Sequence, residues 1–382
     1  MKTKKLLAPG CILLAGMLSC SGPAPQTLKE NDGSVQQKEV AGNALTVCKF
    51  DNKKDTITIP LSEFVDDCQI VRFANTDPAY FRAWIITVSD NYIGVRQERA
   101  AYKLFDKQGK YLHDVGAFGN GPGEYAISIY DELIDEKGGR IFFTPFTGNK
   151  IMVYGLDGKW IKNIELPGKI NKPKIAMNPD GTLSVVHMPF SEEEPFAFQI
   201  DTDGNILKQV PTASYMKVNT FNGEIFAPQN SGKLDFQHTS IDTIFRYDAA
   251  KNQLLPRFTM EFPDPENKPI HVYCDLPDYT FVNYFYWKDK YIPGGTLIVD
   301  KKKQSSAHVN LKNDFFGDLP ISPNFNKGWF IQNIEPGNLI EKIEAHLASG
   351  KCPDKDKKKL QELAASLHEN DNNVLFIGKL KQ

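Results

Sequence analysis

A hairpin-like pattern recurs about every 50 residues along this sequence. In each copy an apolar strand ends in an aspartate, a short polar turn follows, and a second strand begins. The copies are YKLFDKQGKYL with Asp106, IMVYGLDGKWI with Asp157, FAFQIDTDGNIL with Asp201, TIFRYDAAKNQLL with Asp248 and TLIVDKKKQSS with Asp300. Successive aspartates are 51, 44, 47 and 52 residues apart. A repeat of this length indicates a β-propeller, in which each blade is a four-stranded sheet and the marked hairpin joins its outer strands.

The two ends of the chain together supply a sixth blade. GWFIQNI (328–334) and NNVLFIGKLK (372–381) have the apolar character of C-terminal strands. An N-terminal strand, either DTITIPL (55–61) or CQIVRF (68–73), completes the sheet and closes the ring. Closure of this kind removes the open sheet edges that invite aggregation. The sequence therefore predicts an all-β fold, a six-bladed β-propeller over residues 45–382.

Helical periodicity is confined to the closing blade. Two apolar stripes occur there, formed by Leu339, Ile340, Ile343 and Leu347 and by Leu360, Leu363, Ala364 and Leu367. Asn338 is the expected N-cap of the first helix, and Gly350 is its expected C-cap. The pattern predicts a helical hairpin, at about residues 338–369, inserted in the closing blade.

The N-terminal segment MKTKKLLAPGCILLAGMLSC has a basic start and an apolar run that is too short to span a bilayer. It ends in Met-Leu-Ser-Cys, which resembles a bacterial lipobox. We therefore expect residues 1–19 to be a lipoprotein signal peptide and Cys20 to be lipidated; an ordinary signal peptide cleaved near Ser19 is the alternative. Residues 20–44 are polar and rich in turn-forming residues, which predicts a flexible tether.

The segment FDKQGKYLHDVGAFGNGPGEY resembles the NHL-type repeat, in which strand, Asp, Gly-Lys, strand and a GPGE(Y/F) element follow in order. The later hairpins lack the GPGEY element. With the lipobox and the C-terminal strand, the chain over about residues 45–382 resembles the six-bladed NHL-like or TolB-like propeller lipoproteins of Bacteroidetes. This resemblance implies a propeller fold and a place in the cell envelope. The residues after Cys20 lack the early acidic cluster associated with surface export in that phylum, which favours a periplasm-facing position.

The decapeptide GAFGNGPGEY (116–125) contains four glycines and a proline. We interpret it mainly as a crossover from the outer strand of one blade to the inner strand of the next, with Glu124 accepting hydrogen bonds from the turn. The alternative is a loop at the channel mouth that contacts ligand through Glu124 and Tyr125. No phosphate-binding glycine motif is present in this sequence.

Aromatic residues are concentrated in DYTFVNYFYWKDKY (278–291). Packing of one blade against its neighbours explains such a run. The alternative is an aromatic platform for a sugar or peptide, formed by Tyr284, Tyr286 and Trp287, since these rings offer a flat face and a polar tip.

Other motifs that carry chemistry are missing from the sequence. The four cysteines that follow Cys20 in the sequence do not have zinc-binding spacing. A disulfide between two of them, Cys48 and Cys68, is possible in an exported protein. DTDGN lacks the glycine and glutamate that an EF-hand needs at positions six and twelve. The histidines do not recur at the blade interval, and GxSxG and HExxH are absent. We expect no cofactor, no metal and, with a net charge of −2, no nucleic acid partner.

These observations favour a non-catalytic binding module, attached to the membrane through its N-terminal lipid, whose partner is a protein, peptide or glycan. Ligands commonly bind in the concave centre of such a ring. One alternative is a propeller lyase or hydrolase with its site at the channel mouth. Another is an accessory to glycan or peptide uptake across the outer membrane, which rests on family association alone.

Overall fold

The computed structural model of the chain describes residues 27–381. The expected signal peptide and Cys20 lie outside this range. Strands dominate it, and their bounds are β1 (Val35–Val40), β2 (Asn43–Lys49), β3 (Thr56–Pro60), β4 (Gln69–Arg72), β5 (Ala83–Val88), β6 (Tyr92–Gln97), β7 (Tyr102–Asp106), β8 (Tyr111–Val115), β9 (Ile129–Asp135), β10 (Arg140–Pro145), β11 (Thr147–Gly155), β12 (Trp160–Asn171), β13 (Lys174–Met177), β14 (Leu183–Val186), β15 (Pro195–Ile200), β16 (Ile206–Pro211), β17 (Ile225–Phe226), β18 (Asp235–His238), β19 (Thr243–Asp248), β20 (Gln253–Glu261), β21 (Ile270–Asp275), β22 (Tyr279–Trp287), β23 (Tyr291–Asp300), β24 (Ser305–Asn313), β25 (Leu319–Ile321), β26 (Phe325–Asn326), β27 (Trp329–Ile334) and β28 (Val374–Lys379).

These strands form six sheets, arranged as the six blades of a propeller. The first three blades in chain order are β5 to β8, β9 to β12 and β13 to β16, each a four-stranded antiparallel sheet. The next two contain β17 to β20 and β21 to β25 and are widened by N-terminal strands. All five aspartate-marked turns connect the third and fourth strands of their blades, as the repeat pattern predicts.

The closing blade takes its strands from both ends of the described chain, in the order β26, β27, β28, β4. Of the two N-terminal candidates, CQIVRF is therefore the closing strand: Val71 in β4 pairs with Leu375 in β28. The other candidate, DTITIPL, contains β3, which pairs in parallel with β24 of the fifth blade. The predicted closure is confirmed, with the second alternative selected.

The expected tether extends too far into the fold. Residues 35–44 belong to an antiparallel hairpin of β1 and β2, and β2 adds in parallel to β20 of the fourth blade. The polar sequence of β1 concealed this strand because, after buried Val35, its five other residues are exposed. The hairpin is held mainly through β2, where Val47 and Cys48 are buried.

The helical insert is present as α1 (Pro336–Ala348) and α2 (Asp354–Ala365), between β27 and β28. The N-cap of α1 is Glu335 rather than the expected Asn338. The helix starts earlier because Pro336 suits the first helical position, where its missing N–H leaves no hydrogen bond unmade. Leu339, Ile343 and Leu360 are buried in one cluster with residues of the fifth and closing blades.

Cys48, Cys68, Cys274 and Cys352 are free thiols, and all four are buried. The possible disulfide between Cys48 and Cys68 is therefore not formed. Burial raises the pKa of Cys48 and of Cys68 to about 12, so both side chains act as small apolar groups of the core. Between residues 27 and 381, no helix has the length and apolar character needed to cross a membrane.

Candidate functional site

The innermost strands of the six blades, β5, β9, β13, β17, β21 and β26, surround a central channel. We call the end at which these strands begin the upper end and the opposite end the lower end. Residues from all six innermost strands line a cavity of about 480 Å³ at the upper end, which we call the upper cavity. A volume of this size is within the range of small-molecule sites.

One wall of the upper cavity carries buried charges from the first two blades. Arg96 lies on β6 and Glu132 on β9, and Arg96 Nε is 3.4 Å from Glu132 Oε2. The Glu132 side chain is 1% exposed, and its Oε1 accepts a hydrogen bond from the hydroxyl of Thr87. A buried charge is tolerated only when it is paired and hydrogen-bonded, so these three side chains form a mutually dependent group.

A second ion pair continues this wall. Lys174, at the start of β13, places its Nζ 3.8 Å from Asp131 Oδ1 and 4.4 Å from the centre of the Tyr130 ring. Asp131 Oδ2 accepts the backbone N–H of Ile175 at 2.9 Å. Burial lowers the pKa of Lys174, and the negative charge of Asp131 acts against this shift. Both carboxylates of the cavity are thus held in place by cations and by hydrogen-bond donors.

The opposite wall is largely apolar. It is formed by the fourth and fifth blades, including Phe226 on β17 and Val272 and Tyr273 on β21. Polar amides from the fifth and closing blades complete the lining, among them Asn283 and Asn333. The upper cavity therefore offers a ligand one charged side, one apolar side and several amide groups.

The rim of the upper end carries exposed apolar side chains. They are found at or just before the starts of four innermost strands and comprise Trp84, Ile85, Ile127, Phe221 and Ile270. The indole of Trp84 is 48% exposed, and the Arg96 guanidinium lies 5.3 Å from its ring centre. Exposed apolar groups around a concave polar site are typical of binding surfaces.

A polar layer lies at the middle of the channel. Lys327 Nζ donates to the carbonyl of Glu132, and Gln229 Nε2 donates to the carbonyl of Ile175 at 2.9 Å. Below it, a lower cavity of about 740 Å³ opens at the opposite end of the channel. Thr87 lines both cavities, so the layer is thin.

Glu124 and Tyr125 lie in the crossover between the first two blades. Glu124 Oε2 accepts the Gly121 N–H at 2.7 Å, as expected for a turn. Tyr125 is 2% exposed, and its hydroxyl accepts the Tyr102 N–H at 2.7 Å and donates to the Val115 carbonyl at 3.0 Å. These contacts are the ones expected of a crossover between blades. Neither Glu124 nor Tyr125 lines the upper cavity.

Tyr284, Tyr286 and Trp287 lie on β22 of the fifth blade and do not form one surface. Tyr284 is buried and packs edge-on against Phe50, while Trp287 is 66% exposed at the end of the strand. Tyr286 is partly buried against the same cluster as Tyr284. In the described structure these residues lie neither in the lining of the upper cavity nor beside Glu124 and Tyr125.

The residues that do line the charged wall were not singled out from the sequence. Asp131 and Glu132 stand inside the apolar run ISIYDELI, and Lys174 opens the strand KIAM. A charge inside a predicted inner strand is a usable signal, because such residues are rarely buried without a partner. Pairing them required knowing which inner strands are neighbours, and that follows only from the closed ring.

Fold and site together define a six-bladed β-propeller with a small-molecule-sized cavity at one end of its channel. The sequence matches the family described as "Domain of unknown function (DUF4934)" over residues 45–379. This match covers most of the chain, and the protein belongs to that family. The comparison with curated proteins finds no match.

Three solved structures from Bacteroides species resemble the fold. A candidate exported protein of Bacteroides fragilis has a TM-score of 0.60 and 15% identity, covering 86% of this chain and 100% of the other. A DUF4221 family member of Bacteroides vulgatus has a TM-score of 0.43 and 9% identity, covering 82% and 96%. A protein of unknown function from Bacteroides thetaiotaomicron has a TM-score of 0.40 and 10% identity, covering 63% and 64%. The first of these supports the propeller fold.

Proposed function

We propose that this protein is a non-catalytic binding module of the cell envelope that receives its ligand in the upper cavity. The observation that carries this proposal is the convergence of six inner strands on one cavity with a charged wall, an apolar wall and an exposed apolar rim. Pockets with these features are the usual ligand sites of concave folds.

The state of the carboxylates supports binding over catalysis. Asp131 is fixed by the Ile175 N–H, and Glu132 by Thr87 and Arg96. A general acid or base must exchange a proton with substrate, and here one oxygen of each carboxylate is already used in a hydrogen bond to the protein. Cys274 also lines the cavity, and burial raises the pKa of its thiol to about 12, which disfavours a thiolate nucleophile.

Ligand-observed NMR with a defined panel of monosaccharides, oligosaccharides, short peptides and organic acids tests this function. Two exposed tryptophans give a matched pair of variants: Trp84→Ala at the rim and Trp287→Ala on the fifth blade. We expect at least one compound to bind both wild type and Trp287→Ala, and to lose most of its NMR binding signal with Trp84→Ala. After incubation with the protein, the compound should be recovered with unchanged mass. Absence of any binding, loss only in Trp287→Ala, or chemical conversion of the bound compound would contradict the proposal.

Membrane attachment through Cys20 forms the second part of the proposed function. The N-terminal sequence pattern supports it, and the description of the Bacteroides fragilis protein as a candidate exported protein supports export. In Cys20→Ala, we expect the protein to leave the membrane fraction or to remain unprocessed. Fractionation and mobility equal to wild type would refute lipidation. Protease shaving of intact cells tests the periplasm-facing orientation, in which the propeller is protected.

A further inference from the structure

The cations of the charged wall have more hydrogen-bond donors than the protein uses. A guanidinium carries five N–H donors. Within residues 27–381, Arg96 makes one hydrogen bond, from Nη1 to the Ile129 carbonyl at 3.4 Å, while its Nε faces Glu132 Oε2 at 3.4 Å in the ion pair. Arg96 is only 5% exposed. Buried donors without acceptors cost free energy, so an acceptor in the cavity would be stabilised here.

The Lys174 ammonium also has few hydrogen-bond acceptors around it. Its Nζ donates to the Tyr130 carbonyl at 3.5 Å and lies 3.8 Å from Asp131. Burial lowers the pKa of this ammonium, Asp131 raises it, and the nearby Arg96 lowers it. A further negative charge beside both cations would therefore stabilise the charged form of Lys174.

The carboxylates accept shorter hydrogen bonds than the two cations donate, although Glu132 Oε2 has no hydrogen-bond partner among the described residues. Asp131 accepts the Ile175 N–H, and Glu132 accepts the Thr87 hydroxyl. The charged residues that line the upper cavity are two cations and two carboxylates. The preference for an anionic ligand group therefore comes from the unused N–H donors of Arg96 and Lys174 and not from net charge. The two carboxylates also disfavour a dianion such as a phosphate monoester, which carries about −1.5 to −2 at neutral pH.

One amide that lines the cavity has an oxygen atom to which no protein group within residues 27–381 donates a hydrogen bond. The buried Oδ1 atom of Asn333 has no hydrogen-bond partner among the described residues. On the other side of the cavity, Phe226, Val272 and Tyr273 form the apolar wall. The cavity therefore matches a ligand that combines one carboxylate, one N–H donor and one apolar group.

We propose that the upper cavity binds the C-terminal residue of a peptide that ends in an apolar side chain. The carboxylate lies between Arg96 and Lys174, the backbone N–H is directed to Asn333, and the side chain packs on the wall formed by Phe226 and Tyr273. This inference rests on the proposed function and names the ligand of the same site. A guanidinium suits the planar carboxylate because it can donate two parallel hydrogen bonds.

Calorimetric titration with the peptide acetyl-Ala-Ala-Phe, as free acid and as C-terminal amide, tests the carboxylate. We expect the acid to bind and the amide to bind at least tenfold more weakly. N-acetylphenylalanine distinguishes a peptide end from a free N-acyl amino acid, because a true peptide site binds the longer acid more tightly. Phenyl phosphate is expected to bind more weakly than either acid. Equal affinity of acid and amide, or tighter binding of phenyl phosphate, would overturn the proposal.

Variants of the charged wall test the position of the carboxylate. We expect Lys174→Met to weaken binding of the acid at least tenfold, while Lys208→Met, on the outer strand β16, leaves it unchanged. Arg96→Gln alone would leave the buried Glu132 carboxylate without its cation. The variant to be measured is therefore the double substitution Arg96→Gln with Glu132→Gln, which leaves the net charge of the protein unchanged. We expect this double variant also to bind the acid more weakly. Wild-type affinity in both wall variants contradicts the inference. If acetyl-Ala-Ala-Phe does not bind, but another compound of the NMR panel binds wild type and not Trp84→Ala, the inference of a peptide ligand is wrong while the proposed binding function is supported.

Discussion

The hydroxyl of Tyr125 closes the open end of the hairpin formed by β7 and β8. It accepts the Tyr102 N–H and donates to the Val115 carbonyl, and these two residues are register partners across the hairpin. In Tyr125→Phe both buried backbone groups lose their partner, which should lower the free energy of unfolding by about 1–3 kcal/mol. Urea denaturation measures this, with Tyr215→Phe, a 64% exposed tyrosine, as the near-neutral control. Equal stability of the two variants would show that this hydroxyl is dispensable.

Gly123 is the position of the GPGEY element at which glycine is required. Its φ is +72°, and a Cβ atom there would lie 2.8 Å from Trp160 Cβ. Gly121, in contrast, is not among the glycines with positive φ. Gly139 has a similar φ of +67° with open space around it, so Gly139→Ala reports backbone strain alone. We expect Gly139→Ala to cost about 1–2 kcal/mol and Gly123→Ala distinctly more, by thermal or urea unfolding. The reverse order would contradict the packing of this crossover.

Buried histidines make stability depend on pH. Burial lowers the pKa of His187 to about 4, well below its usual value near 6.5, and its Nε2 lies 2.7 Å from the Pro195 carbonyl. The unfolded chain therefore binds more protons than the folded protein between these two values, so stability falls as pH drops from about 6.5 toward 4. At pH 5 the loss from this residue is about 2 kcal/mol. In His187→Gln the decline from pH 7 to pH 5 should be smaller by that amount; an unchanged decline would mean that His187 is not the titrating group.

At the scale of elements, the aspartate-marked turns are the part of the fold that the sequence predicts best. Asp106 Oδ1 accepts the N–H groups of Gln108 and Lys110, and Asp201 Oδ1 accepts those of Asp203 and Asn205. These contacts span at most four residues, so they depend on local sequence alone. The hairpin of β1 and β2 was missed because its attachment to β20 is non-local and its first strand shows no alternation.

The helical insert contributes to the core instead of lying loosely on the blade. Leu360 in α2 is fully buried, whereas Leu363, one turn further, is only partly buried. Because both lie in the same helix, the same substitution changes helix propensity equally. We expect Leu360→Ala to lower the free energy of unfolding by about 2–5 kcal/mol and Leu363→Ala by clearly less. Similar losses for both would mean that α2 does not pack as described.

At the scale of the whole molecule, closure of the ring forms the upper cavity, and for that reason sequence patterns alone do not reveal its lining. Repeat spacing predicts six blades, and the two chain ends predict how the ring closes. The upper cavity, however, combines residues from Ala83 to Asn333, and their proximity depends on the order of blades around the channel. Arg96 and Glu132 are 36 residues apart in sequence, yet they form one buried ion pair. No local pattern marks such a pair, and the aromatic residues singled out on β22 do not line the upper cavity.

The most direct test of the central claim, that the upper cavity is the binding site, is a crystal structure of the protein soaked with the panel compound that gives the strongest NMR signal. The account predicts difference density in the upper cavity, in contact with Trp84 and within hydrogen-bond distance of the charged wall. Density confined to the lower cavity, to the exposed end of β22 at Trp287, or to the GPGEY crossover would contradict it.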